Sequence, residues 1–275
     1  MEKGLEGAAE RPCRDDSGGV FDPLEQGQRF RFACHPALIC FTDCCRDLTL
    51  RLTPYDVIRA RRALGLDSSE FLEWHTVAET DPDWKVPGIR LRMEENARRT
   101  CPFVKPDGCT IYADRPGACR AYPLARAARS SPGLTAVAGV DEKYFLVREA
   151  HCAGFGAGRE WTAGTWMQDQ DLTPYNEMND LWMGFLSRYR PGSRPGLTSK
   201  HWQMFYLACY SPDRFRAFVF NTRFLTLFEV SDETVKALRR SDEELLKFSL
   251  NWLAFSLFGD PVLRRRPGSV EDAGP

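Results

Sequence analysis

Eight of the ten cysteines of this 275-residue chain fall between residues 34 and 152, and no other feature restricts its fold as strongly. Cys34, Cys40, Cys44 and Cys45 form a first group, Cys101, Cys109 and Cys119 a second, and Cys152 follows. Thiolate is a soft, charged ligand suited to zinc or to iron–sulfur iron. Short spacings within a loop let neighbouring sulfurs converge on one centre at about 2.3 Å, and the fold brings in the distant ones. Eight thiols gathered without a cation would pack poorly and oxidise, so a metal explains the grouping better than a disulfide framework or a set of inert buried cysteines does. The spacing matches neither a zinc ribbon nor a ferredoxin run. Zinc and an iron–sulfur cluster both stay open, as do two four-coordinate sites or one four-ligand cluster with further thiols. Cys209, in the apolar stretch Met204–Tyr210, reads as a small buried hydrophobe, and Cys13 in a polar tail as incidental.

The flanking residues suit thiolate. Arg46 follows Cys45, Arg120 follows Cys119 and Arg115 lies close by, so positive charge is available to offset a multi-thiolate site. Gly108 before Cys109 marks a tight turn. His35 and His151 adjoin cluster cysteines and could replace a thiolate or hydrogen-bond a sulfur, whereas His75 and His201 fall at helix positions without evident chemistry. Asp81, Asp83, Glu94 and Glu95 have no partner base, and no Ser-His-Asp or Cys-His-Asn arrangement can be assembled, so no catalytic residue is assigned. Arg59, Arg61 and Arg62 on a short helix read as a solvated face.

Composition narrows the class. Apolar residues make up 43% and charged residues 27%, the balance of a soluble globular protein. The net charge of −1 speaks against a nucleic-acid-binding surface. No apolar run reaches the roughly 18–20 residues that span a bilayer. The start of the chain, Met1-Glu2-Lys3 with Glu6 and Glu10, lacks the apolar centre of a secretory signal, so a reducing cytoplasmic setting is expected. The partners expected are therefore a metal ion or cluster and a protein on the helical half, with neither nucleic acid nor membrane.

The expected fold is α+β: a loop-rich cysteine-cluster region with short strands and helices, packed against a C-terminal helical region. Residues 1–24 and 263–275 read as disordered tails, 25–161 as the metal-binding domain and 162–262 as the helical region. Alternation at Leu48, Leu50 and Leu52, at Ile89, Leu91 and Met93, and within Thr135–Val147 suggests strands. Thr53-Pro54 launches a helix that Gly65 ends, and Asp67 with Glu70 caps a second. Thr173-Pro174 and Ser211-Pro212 repeat the cap-plus-proline start, and Ser241 with Glu244 forms a capping box before a long apolar helix. The dense aromatic residues of these helices read as core. The run Gly154-Phe-Gly156-Ala-Gly158 reads as an ordinary turn rather than a nucleotide loop, because no strand–loop–helix context surrounds it.

At the cysteine residues the chain resembles the CxxCxxCC family of zinc- or iron-chelating domain proteins. Its signature is an aromatic before a first cysteine, a second cysteine, a vicinal pair and a downstream block. Here the pieces are Phe32 with Cys34, Cys40, Cys44 and Cys45, then Cys101-Pro102-Phe103, Cys109-Thr110-Ile111-Tyr112, Arg115-Pro116 and Cys119 through Pro123. The resemblance covers about residues 30–155 and implies that the eight clustered cysteines are metal ligands. The flagellin lysine N-methylases resemble the same motif, which implies a second reading as a metal-dependent protein-modifying enzyme. A third reading has zinc only folding the loop-rich half while the helical half binds a partner.

Overall fold

Helix starts and stops follow local chemistry closely in this chain. A computed structural model describes residues 13–14, 20–81, 84–129, 141–188 and 197–267; the outer parts of both expected tails and the Thr135–Val140 part of an expected β-rich run lie outside them. Helix α1 (Pro54–Leu64) opens on a reciprocal box in which Thr53 Oγ1 accepts the Asp56 amide and the Asp56 carboxylate accepts the Thr53 amide. It closes on Gly65 at φ +67°, a left-handed residue that costs glycine little. Helix α2 (Ser68–His75) repeats the box with Asp67 and Glu70.

Four strands form one antiparallel sheet in the order β1 (Cys13–Arg14), β2 (Val20–Leu24), β9 (Asp141–Arg148), β8 (Leu124–Arg129). Residues 13–14 and 20–24, expected in a tail, are therefore paired; Phe21 sits opposite Val147. The apolar residues of 20–24 are too few to show as a pattern, and it is β9 that gives them a partner. Strand β3 (Phe30–Phe32) pairs with β10 (Phe155–Trp161) as a ribbon, and β4 (Thr76–Thr80) with β5 (Pro87–Leu91) as another. A last small hairpin joins β6 (Val104–Lys105) to β7 (Gly108–Cys109). Leu48–Leu52 does not become a regular strand. It lies along β5, the Leu52 amide donating to Ile89 O at 3.0 Å and the Leu91 amide to Leu50 O at 2.8 Å.

Helices α3 (Gly117–Ala121), α4 (Ala163–Asp169), α5 (Thr173–Leu186), α6 (Ser199–Tyr210), α7 (Pro212–Asn221), α8 (Phe224–Leu227), α9 (Asp232–Arg240) and α10 (Asp242–Phe258) complete the α+β fold. None of them is long and apolar enough to cross a membrane among the described residues. Some expected caps are only half made. Ser241 accepts the Glu244 amide at 3.1 Å, but its hydroxyl turns to Glu243 while Glu244 pairs with Lys247. Thr173 is inside α5, with Leu172 as the cap residue, and the Ser211 side chain makes no cap bond. His201, expected without a task, completes a capping box with Thr198 on α6.

Two cores result. The larger joins α1, α2 and β5 to α5, α6, α7 and α10; Phe71, Phe185, Phe205, Phe215 and Leu253 are wholly buried in it. Each such side chain contributes about 1.5–3 kcal/mol through removal from water. The rings pack on one another, Trp182 on Phe205 and Phe215 on Trp252, so the helical aromatics are core as expected. The smaller core lies under the ribbon and the four-stranded sheet, with Phe30, Phe32, Leu124, Leu146, Trp161 and Trp166. The expected solvated face of α1 is corrected. Arg61 is buried and pairs with Asp242, Arg62 with Glu243, and Arg59 with Asp114, so the arginines bind α1 to its neighbours. Their acidic partners lie from 55 to 181 residues away, beyond any local pattern.

Candidate metal centre

The cysteine loops are positioned by two backbone clasps. The first is the end of the β3–β10 ribbon. Phe32 is buried, its carbonyl accepts Trp161 Nε1–H at 2.9 Å, and the Ala33 amide donates to Gly154 O at 3.2 Å. In this antiparallel register Phe32 opposes Phe155, so Cys34 leaves one strand where Cys152 enters the other. A series of turns follows, Leu38 to His35, Phe41 to Leu38 and Asp43 to Cys40. These fold the loop back until Cys40 Sγ accepts the Ala153 amide at 3.1 Å. Cys34, Cys40 and Cys152 thus meet at the ribbon end.

The glycine run expected as a turn belongs to this ribbon, largely within β10, and it is not a nucleotide loop. A Cβ on Gly158, at φ +71°, would stand 2.6 Å from Ala33 Cβ and 2.9 Å from Phe32 O. A Cβ on Gly154 would stand 2.5 Å from Ala33 O. Both glycines let the strands approach beside Cys34.

The second clasp pairs residues 45–47 with 99–101. The Cys101 amide donates to Cys45 O at 2.8 Å, the Asp47 amide to Arg99 O at 2.9 Å, and Arg46 bridges Thr100. Val104 N–H then returns to Cys101 O at 3.2 Å, and the β6–β7 hairpin sets Cys109 opposite Val104. Gly108 turns that hairpin at φ +127°, with Phe41 of the first loop 3.5 Å from where a Cβ would be. Cys119 stands on α3, whose first amide, Gly117 N–H, donates to Asp56 Oδ1 of α1 at 2.8 Å. Cys44 and Cys45 lie between the clasps in a single 3₁₀ turn, Asp43–Cys45, entered through Thr42 at φ +68°.

The electrostatics report the same neighbourhoods. Burial, then Cys44, Cys40 and Cys152, push the Cys34 thiol up to about 11, against the nearby Arg115. Burial pushes Cys101 up to about 11, with Cys109 and Cys44 adding and the Phe103 and Val104 amides opposing. Cys119 keeps accessible surface, yet the protein packed around its sulfur raises it to about 12, aided by Cys101, Asp56 and Cys44. Burial also raises Cys109, opposed by the Ile111 amide and Arg115. A hydrogen bond from the Cys45 thiol holds Cys44 below the ordinary thiol value, against burial and Glu149; Cys45 is pushed well above it. Thiols that raise one another in this way are relieved by a cation at their centre.

The eight clustered cysteines and Cys209 are free thiols. No three histidine, cysteine or acidic side chains among the described residues already stand as a ligand polyhedron. What the backbone supplies is proximity, and rotation about each cysteine Cα–Cβ bond is the remaining freedom. The donor chemistry fits zinc or iron, since the neighbours are thiols with backbone amides directed at Cys101 and Cys109.

Of the expected charges, Arg115 stands where both sulfur groups feel it. Its guanidinium is anchored by Tyr112 O and Gln170 Oε1, each at 2.5 Å. Arg46 is engaged by Asp43, and Arg120 turns to the carbonyls of Ala113 and Gln170. His35 is exposed, and His151 reaches Glu149 at 3.5 Å. His75 stacks near Phe71 and Phe103. Cys209 is buried on α6 in the larger core.

Three residues near the sulfurs escaped the sequence reading. Tyr122 stands beside Cys152 and Glu149, its pKa raised by burial first and by those two groups after. Glu149 Oε2 in turn faces His151 Nε2 at 3.5 Å. Tyr122 lies in the motif block, but its proximity to Glu149 depends on β8 and β9 pairing. Asp56 is visible as a capping residue; its reach to Gly117 is not.

Residues 33–153 match the model of the CxxCxxCC family, described as a putative zinc- or iron-chelating domain. No curated protein and no solved structure matches the chain.

Proposed function

We propose, taking residues 33–153 as a zinc- or iron-chelating domain of the CxxCxxCC family, that Cys34, Cys40, Cys44, Cys45, Cys101, Cys109, Cys119 and Cys152 are its metal ligands. In this reading the chain is a cytoplasmic metal-binding protein whose loop-rich part, residues 25–161, holds zinc or an iron–sulfur cluster. The helical part, residues 162–262, buttresses it through the shared core. One observation carries the proposal: segments around residues 34–45, 101–119 and 152 meet where the Ala153 amide donates to Cys40 Sγ and the Cys101 amide to Cys45 O. Four-thiolate sites of this kind couple metal binding to folding, because the ligands come from segments that only the native chain brings together.

The test is metal and acid-labile sulfide analysis of the full chain purified without oxygen. Stoichiometric zinc, or iron with sulfide, is expected, and C44S and C119S should each lower it. C209A serves as the control that keeps it, Cys209 being buried among apolar side chains. Metal-free protein, or equal metal in all variants, contradicts the proposal.

A second reading, metal-dependent protein modification of the flagellin lysine N-methylase type, is favoured by one feature. Tyr122, Glu149 and His151, all able to carry a proton, stand beside Cys152 or one another. Absence of any change in metal-loaded protein on Y122F would remove that support.

A further inference from the structure

We infer that Arg115 and Arg120, oriented by Gln170 from outside the matched segment, are the counter-ions of a metal centre that carries net negative charge. The inference rests on the ligand assignment proposed above and adds what balances the thiolates and which residue of the helical part places that balance.

Three arginines are buried among the described residues, and their partners differ. Arg61 has the Asp242 carboxylate. Arg115 and Arg120, 7% and 5% exposed, pair with no carboxylate among the described residues. Their donors go to neutral oxygens instead: Arg115 to Tyr112 O and Gln170 Oε1, Arg120 to Ala113 O and, at 2.6 Å, to Gln170 O. Ring faces add to this, the Arg115 guanidinium lying 3.8 Å from the Tyr112 centroid and that of Arg120 4.8 Å from the Tyr175 centroid. Carbonyl dipoles and rings solvate a cation without cancelling its charge, and an uncompensated buried charge is costly. The surrounding carboxylates are already engaged. Asp114 holds Arg59, Asp169 holds Arg159, and Asp56 receives the Thr53 and Gly117 amides.

What flanks the two cations is thiol. Arg120 follows Cys119 in α3, and Tyr112 and Ala113, whose carbonyls the pair holds, come three and four residues after Cys109. Four thiols that release their protons to hold one divalent ion are left with two negative charges. Two guanidinium groups match that charge, whereas neutral thiols would leave them unmatched. Arg46, also next to a cysteine, is different, because Asp43 holds it. Gln170 is the positioning residue. It caps α4 beyond residues 33–153, and its backbone and side-chain oxygens each take one guanidinium. Its own amide donates to Asp169 Oδ2 at 2.8 Å, which fixes Oε1 toward Arg115.

The experiment titrates the full chain, purified without oxygen and stripped of metal, with cobalt(II) against a competing chelator. R115Q and R120Q should each bind cobalt at least about tenfold more weakly, the effect of one neighbouring charge on an ionised thiol. R115K and R120K keep the charge and should recover most of that loss, which arginines that only clasp carbonyls would not allow. Q170E, which gives the pair a carboxylate of its own, should weaken cobalt binding as R115Q does. Cobalt–thiolate absorbance in the unaltered chain, with R115Q and R120Q binding as tightly or the lysine variants no better than the glutamine ones, overturns the counter-ion role and leaves the ligand assignment standing. No cobalt–thiolate absorbance in the unaltered chain overturns the assignment itself, and this inference with it. Should the arginine variants lose their helical circular dichroism, Q170E decides, since unweakened binding there overturns the role.

Discussion

The carboxylate of Asp56 accepts the Gly117 amide at 2.8 Å, tying the capped start of α1 to the short helix that carries Cys119. The same carboxylate takes the Thr53 amide at 2.8 Å and the Thr53 hydroxyl at 2.9 Å. One buried acid thereby caps a helix and places a candidate ligand. D56A should cost at least about 2 kcal/mol, from a lost cap and a buried amide left unpaired. It should also loosen metal held by Cys119, which urea unfolding and chelator-competition rates on the same sample would show.

Asp242 receives three arginines, Arg61 and Arg216 in close pairs and Arg62 at 3.2 Å. Arg61 and Asp242 are only 10% and 9% exposed, so neutralising the acid leaves a buried cation with only its longer contact to Asp213, at 3.4 Å. D242N is expected to lose about 3–5 kcal/mol. A midpoint shift in urea below one-third of that size would mean that water reaches the pair.

Gly158 sits against Ala33 and Phe32, the residues that lead into Cys34. G158A meets both a left-handed backbone angle and a Cβ contact of 2.6 Å. It should destabilise by about 1–3 kcal/mol and lower metal affinity at the ribbon end. Alanine tolerated with unchanged stability would show that the strands separate freely there.

Glu243 offers a pH test away from the thiols. Burial alone would raise its carboxyl, but hydrogen bonds and charge from Arg62 prevail and hold it at about 2, below the ordinary glutamate value. A depressed carboxyl stabilises the fold fully above its unfolded value and loses that contribution as pH falls through the folded one. The stability gap between unaltered protein and E243Q should thus be constant at neutral pH and close progressively from about pH 4.5 toward pH 2. A gap that persists unchanged at pH 3 would contradict the pairing.

The sequence showed some of this plainly. Thr53-Pro54, Gly65 and the Asp67–Glu70 box act locally, and the structure places α1 and α2 there. The cysteine loops were legible as a group because Cys, Pro, Gly and Arg recur at short range. Distant pairings were not. The Arg61–Asp242 pair spans 181 residues, and α1 taken alone presents three arginines that look solvated. The strand at Val20–Leu24 depends on β9 for its existence, and the glycine run is a strand edge only because Phe32 lies across from Phe155. The meeting of the cysteine loops likewise required the two clasps, whose registers no spacing encodes.

X-ray absorption at the metal edge of the anaerobically purified full chain tests the central claim most directly. Metal ligated by these cysteines should show a first shell of sulfur at about 2.3 Å, with sulfur scattering reduced in C44S. A shell of nitrogen and oxygen alone near 2.0–2.1 Å would contradict it.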